Sequence, residues 1–285
     1  MAETGAPDSA FTALRIRSAG GATADICPHG AHVLAWRPVG AAGSQFFLSS
    51  TSRYAAGSAI RGGVPVVFPQ FSGMGPLPKH GFARTMAWTP LSTDDSSSVG
   101  FQLQDSPATL ALWPHRFAAR LDVALEDTCL TVSLVVRNTG DRACEFTAAL
   151  HSYFTLDDIA EARVHGLQGR SCLDATDGMR PGREGRAAMP IEGEVDLVFH
   201  AVDGVLAVSD GEKRIVIERQ GFPDVVVWNP GEEKAAALHD LETGGWRRML
   251  CVEPAFIGQP AHLAPGECWT GTQRLRYEPL KATRT

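Results

Sequence analysis

Apolar residues recur mainly at every second position from Leu121 to Glu126 and again from Cys129 to Arg137, across a two-residue Asp127-Thr128 connection. A period of two sends successive side chains to opposite faces of an extended chain, so each stretch reads as a half-buried strand and the pair as a hairpin. A second hairpin is expected where Val205–Ser209 meets Arg214–Glu218 through Asp210-Gly211, a pair suited to the positive φ of a tight turn. Shorter strand candidates are Leu14–Ile16, His32–Trp36, Val99–Leu103, Phe146–His151, Met249–Glu253 and Trp269–Tyr277. Helical periodicity is confined to Glu232–Leu241, which predicts two or three turns. About 15 or more short strands with turn residues between them imply an all-β fold, and so many exceed one barrel and favour two large packed antiparallel sheets. Asp94–Ser98 and Gly178–Gly185 read as surface loops.

With 285 residues, the chain can bury a core without disulfides or metal, exposing roughly 12,000 Å² of the about 44,000 Å² an extended chain would show. The six cysteines are scattered, with no Cys-x-x-Cys pair, and read as buried reduced thiols. A formal charge of −6 disfavours nucleic acid and anionic membrane, so an anionic ligand needs a local cluster of cations. Apolar runs such as Val64–Phe68 and Val225–Trp228 fall far short of a membrane span, and Met1–Ser9 lacks the cationic start and apolar stretch of a signal peptide. The expectation is a cytoplasmic monomer of one domain over 1–285, with flexible tails at about 1–10 and 280–285.

Four segments are too rich in special residues for ordinary strands. Arg61 precedes paired glycines, Gly62-Gly63, that permit a close backbone approach. Lys79-His80-Gly81-Phe82-Ala83-Arg84 gathers three potential cations, and with Arg61 could hold a phosphate or sugar hydroxyls on an acidic protein. The bland alternative is a set of solvated loop charges. His151 ends an apolar strand ahead of Ser152-Tyr153-Phe154, where it can act as a general acid or sit as a hydrogen-bonded core histidine. Glu253, inside the apolar strand Met249–Pro254, is either a base strengthened by burial or the partner of a buried ion pair. His29 and His32 lack a third ligand for zinc, Cys251 reads as an inert buried thiol, and Gly62-Gly63 lacks the surroundings of a phosphate loop. Trp36, Trp88 and Trp228 read as core.

In sequence order, Ala59-Ile-Arg-Gly-Gly-Val-Pro65, His80-Gly-Phe-Ala-Arg84, His151-Ser-Tyr-Phe154, Glu194-Val-Asp196, Pro223-Asp-Val-Val-Val-Trp-Asn-Pro230 and Cys251-Val-Glu-Pro254 closely resemble the glucose-6-phosphate 1-epimerases, or D-hexose-6-phosphate mutarotases, of the aldose 1-epimerase superfamily. The resemblance spans about Gly30 to Glu267. It implies a galactose-mutarotase-like β-supersandwich with a sugar cleft on one sheet, and neither cofactor nor metal. His151 matches the family's catalytic histidine and Glu253 its catalytic glutamate. Arg61, Arg84 and Asp196 match substrate-binding positions, as does Lys79, where relatives often carry Gln. His80 and Asp224 match positions in or near the cleft, and the Gly73–Pro78 loop is shorter than in relatives. The expected reaction interconverts the α and β anomers of a hexose 6-phosphate. The alternatives are a mutarotase of unphosphorylated aldoses such as galactose, and a non-catalytic sugar-phosphate binder.

Overall fold

The computed structural model describes residues 11–93, 95–211 and 213–280. The terminal tails expected at about 1–10 and 280–285 therefore lie, except for Leu280, outside the described residues, as does Asp94 in the first expected loop.

Both predicted hairpins form. Phe117–Leu125 pairs with Cys129–Asn138, and Leu206–Ser209 with Lys213–Gln220. Each lies in a nine-stranded antiparallel sheet ordered Ala188–Pro190, Arg163–His165, Leu206–Ser209, Lys213–Gln220, Cys268–Pro279, Cys129–Asn138, Phe117–Leu125, Ser98–Gln104 and Thr89–Leu91. The opposing sheet runs Arg180–Arg183, Ser171–Asp174, Val195–Phe199, Asp224–Asn229, Met249–Leu263, Cys144–Leu150 and Val66–Val67, with Tyr153–Thr155 also pairing with Met249–Leu263. A three-stranded sheet, Leu14–Arg17, Thr23–Cys27 and His32–Arg37, completes the molecule.

The two large sheets bury one continuous core. Leu121, Leu130, Leu134 and Leu275 from one meet Phe146, Ala148, Leu150, Val225, Leu250 and Val252 from the other. Along Met249–Leu263 the alternation then places chemistry. Leu250 and Val252 face the inter-sheet core, so Cys251 and Glu253 must face the opposite side of the sheet. By the same parity, Val225 and Val227 point into the core while Val226 and Trp228 point outward.

Three local expectations need correction. Gly178–Gly185 is not wholly loop, because Arg180–Arg183 pairs with Ser171–Asp174 as an exposed edge strand. Ser98 already opens a strand. The helix near the C-terminus is shorter than Glu232–Leu241: Gly231–Ala236 is helical, after which Leu238 and Leu241 close tight turns on Ala235 and Leu238.

Candidate active site

His151 is the first residue beyond the strand Cys144–Leu150, with its N–H held by Pro65 O at 3.1 Å. Glu253 lies mid-strand, opposite Val226 on the neighbouring strand. Their side chains are 7% and 2% exposed, and His151 Nε2 lies 3.4 Å from Glu253 Oε1. Both rest on the wall of a cavity of about 130 Å³ lined also by Arg61, Phe71, Lys79, His80, Arg84, Asp196 and Trp228. Seven of the eight predicted site residues are thus brought together from segments spread over nearly two hundred positions.

Burial disfavours charge on both central groups. It pushes the His151 imidazole well below its ordinary range, with His80, Arg84 and Arg61 adding to the effect. It pushes the Glu253 carboxyl well up, reinforced by Asp196 and opposed by Arg84 and Lys79. The pair therefore favours a single shared proton carried by Glu253. The charge-separated form, carboxylate and imidazolium, differs from it by one proton transfer over a short distance. His151 Nδ1 and Glu253 Oε2 are buried without a hydrogen-bond partner, so each group keeps a polar atom free for a ligand.

The imidazole is clamped by rings. Tyr153 stacks on it at 4.7 Å and 9°, and Trp228 and His80 meet it edge-on. His80 occupies left-handed backbone (φ 67°), and its Nδ1 accepts from Ser72 N–H. Burial, then Arg84, Lys79 and Arg61, lower the His80 imidazole to about 3, so it stays neutral against His151.

Cations line the same cavity. Arg61 donates through Nη1 to Tyr153 Oη (2.9 Å) and through Nη2 to Asp240 (3.0 Å). Arg84 donates only to a backbone carbonyl, that of Lys79 (2.9 Å), with no carboxylate partner among the described residues. The Nε atoms of both arginines are buried and unpartnered. Lys79 is exposed at the cavity edge. Asp196, on Val195–Phe199, is pushed up by burial and drawn back by Lys234 and Lys79.

The paired glycines approach the chain's own backbone rather than a ligand. A Cβ at Gly62, whose φ is 115°, would sit 2.3 Å from Phe47 O. That tight crossing delivers Arg61 to the cavity.

Asp224 departs from the sequence reading. It shares the outward face with Val226, but it does not line the cavity. Its carboxylate accepts N–H bonds from Ile257 (2.8 Å), Gly258 (2.7 Å) and Ala201 (3.3 Å), and faces His200 Nδ1 at 3.1 Å. A carboxylate so engaged fastens strands together. Trp228 departs in the other direction: read as core, it is half-buried on the cavity wall, whereas Trp36 and Trp88 are core. Nothing in Leu238-His-Asp-Leu241 marks Asp240 as the partner of an arginine 179 positions away.

His29 and His32 are spoken for by Ser58 O and Gly62 O, both at 2.7 Å. Five cysteines are buried and Cys268 is exposed, and none of the six is in a disulfide. Cys251 contributes with His151 and Glu253 a nitrogen, a sulfur and an oxygen within 4.8 Å of one another. Burial first and Glu253 second push that thiol well up. A metal ion there would have to displace protons from both acids while facing two arginines, so the set suits proton transfer better than cation binding. No helix among the described residues is long and apolar enough to cross a membrane.

Residues 12–276 match the family model for aldose 1-epimerase. A candidate glucose-6-phosphate 1-epimerase of Cenchrus ciliaris is 37% identical over 277 residues, covering 93% of this chain and 84% of its own length. A protein of Escherichia coli (strain K12) with the same description is 32% identical over 259 residues, 85% of each chain. The crystal structure of a candidate mutarotase from Salmonella typhimurium superposes with a TM-score of 0.84 at 27% identity, covering 91% of this chain and 88% of that one. A family match over residues 12–276, with a relative 37% identical over 93% of the chain, leads to one conclusion: the chain belongs to the aldose 1-epimerase family.

Proposed function

We propose that this protein interconverts the α and β anomers of a hexose 6-phosphate, with glucose 6-phosphate, the sugar named for its relatives, as the first candidate. The observation that carries the reading is the buried pair His151–Glu253, 3.4 Å apart, on a cavity lined also by Arg61, Lys79 and Arg84.

Ring opening needs one group to take the proton from the anomeric hydroxyl and another to give one to the ring oxygen. In the charge-separated form of the pair, the Glu253 carboxylate takes the O1 proton while the His151 imidazolium protonates O5. The C1–O5 bond breaks as C1=O1 forms. Rotation about C1–C2 presents the other face of the aldehyde, and closure returns both protons with the roles exchanged. Protons and electrons balance within the pair and the sugar. Asp196 is positioned to accept from sugar hydroxyls, and Trp228 offers an aromatic edge to the ring.

A neutral aldose does not need three cations together, so the substrate's charge is the deciding variable. Anomer exchange followed by polarimetry should be accelerated far more for glucose 6-phosphate than for glucose. Arg84→Met should raise KM for the phosphate ester at least about tenfold, the loss expected for one charge-assisted contact. Equal turnover of both sugars would favour a mutarotase of unphosphorylated aldoses. Binding of the ester without acceleration would favour a binder.

A further inference from the structure

The chain doubles back on itself between Phe71 and His80, and Phe71, Ser72 and His80 all line the catalytic cavity. Ser72 and His80 both hold left-handed backbone (φ 46° and 67°), which non-glycine residues keep only where their surroundings enforce it. The two are bound reciprocally. His80 N–H donates to Ser72 O (3.0 Å), and Ser72 N–H donates to His80 Nδ1 (3.3 Å). A backbone N–H can only donate, so Nδ1 must present a lone pair and the ring bears its hydrogen on Nε2. The same contact opposes an imidazolium, which needs a hydrogen on both nitrogens.

One side chain outside the cavity holds this turn. Gln70, 5% exposed, donates from Nε2 to Ser72 O and Leu77 O (3.0 Å each) and accepts from Leu77 N–H through Oε1 (2.9 Å). Two carbonyls at the nitrogen and an N–H at the oxygen leave the carboxamide a single orientation. The loop Gly73–Pro78 wraps it closely: a Cβ at Gly75 would lie 2.5 Å from Gln70 Oε1. From there the line of contact runs to the chemistry: Gln70 to Ser72, Ser72 to His80, and His80 edge-on to His151 at 5.4 Å. His80 is otherwise faced by the Phe71 ring, with Arg84, Lys79 and Arg61 as the charged groups around it.

We infer that Gln70 is a positioning residue that sets the tautomer of His80. By fixing Ser72, it keeps the hydrogen of the His80 ring on Nε2, as the one donor that ring has for a ligand, beside the imidazole that exchanges protons. The effect on turnover rests on the proposed sugar-phosphate reading; the tautomer does not. A carboxamide that merely fastened a loop would change stability when replaced. One that sets a tautomer must also change which nitrogen of a neighbouring ring carries the hydrogen.

The test follows the histidine ring nitrogens by nitrogen NMR on isotopically labelled protein at pH 7, beside the kinetics of glucose 6-phosphate anomer exchange. In the wild-type chain, His80 should give the widely separated pair of nitrogen shifts of a pure Nε2–H tautomer. Gln70→Met keeps the length of the side chain and removes all three hydrogen bonds. Gly75→Ala keeps Gln70 but displaces its carboxamide, at an exposed glycine whose φ lies outside the left-handed region. Both should move the tautomer ratio about two- to tenfold toward Nδ1–H, the range expected for one neutral hydrogen bond, and lower kcat/KM about as much. A pure Nε2–H ring in both variants, or a wild-type kcat/KM in both, would overturn the assignment. So would a wild-type ring that bears its hydrogen on Nδ1, a result that needs no variant to fold. If the wild-type chain fails to accelerate anomer exchange, the proposed function falls, and the nitrogen shifts alone then decide the role of Gln70.

Discussion

A carboxylic acid and an imidazole that share one proton in a nearly sealed site need very little rearrangement to exchange roles. Of the residues at the cavity, only His151 and Glu253 combine near-complete burial, mutual contact and an unpartnered polar atom each. Replacing either with its nearest uncharged isostere removes proton transfer and leaves volume intact. Glu253→Gln and His151→Asn should each lower kcat for anomer exchange at least about a hundredfold, the lower bound of a positioned acid or base. Melting temperature at pH 7 should be unchanged or raised in Glu253→Gln, because the substitution removes the ionisation that the unfolded chain enjoys and the folded site resists. Turnover near wild type in either variant, measured by polarimetry on protein with a normal melt, would take that residue out of the chemistry.

Between strands, the work of the outward face is split. Its middle, at Val226 and Glu253, forms the cavity floor, and its end, at Asp224, fastens the strand Asp224–Asn229 to the irregular stretch of Met249–Leu263 between Phe256 and Ala261. A bulged stretch leaves backbone N–H groups without ladder partners, and the Asp224 carboxylate takes those of Ile257 and Gly258. Asp224→Asn should therefore lower stability by about 1–3 kcal/mol, the cost of leaving a buried donor poorly matched, while kcat and KM of the folded enzyme stay within about twofold. A tenfold rise in KM with an unchanged melting curve would return Asp224 to the substrate. Much of this was legible beforehand. Alternation exposed the hairpins, and residues out of place in apolar strands, such as His151 and Glu253, marked the chemistry. Other features left no periodic trace. The helix Pro107–Leu112 is only six residues long, too short for a 3.6-residue period to show, and is held by a capping box between Ser106 and Thr109. The strand Arg180–Arg183 is exposed throughout, so no buried face imposes alternation on it. Asp240 owes its place to a fold-wide approach that local pattern does not encode.

For the molecule as a whole, the sandwich carries its reactive groups in positions that weaken it in acid. Burial holds His32 at about 4, helped by His29 and Arg84; it holds His80 at about 3 and pushes His151 well below its ordinary value. Below about pH 6.5, where an unfolded histidine gains its proton, the unfolded chain binds three protons that the folded chain refuses. Glu253 works the other way: its folded carboxyl stays protonated above about pH 4.3, where the unfolded one has ionised, so there the unfolded chain binds one proton fewer. Three minus one leaves a net uptake of about two protons on unfolding between about pH 4.5 and 6, and since stability rises with pH wherever the unfolded state binds more protons, these four groups make it fall by about 2–3 kcal/mol per unit of acidification. At about pH 6.8 the three unfolded histidines bind only about one proton between them, which cancels the Glu253 contribution, so stability from this set peaks there and declines as pH rises further toward the folded pKa of Glu253. Calorimetric unfolding at pH 5.5 in buffers of different ionisation enthalpy should register about two protons taken up by the wild-type chain and about three by Glu253→Gln, whose decline on the alkaline side should also disappear. Equal proton uptake by the two chains would mean that Glu253 ionises as freely in the folded protein as in water, and the shared-proton description of the site would not survive it.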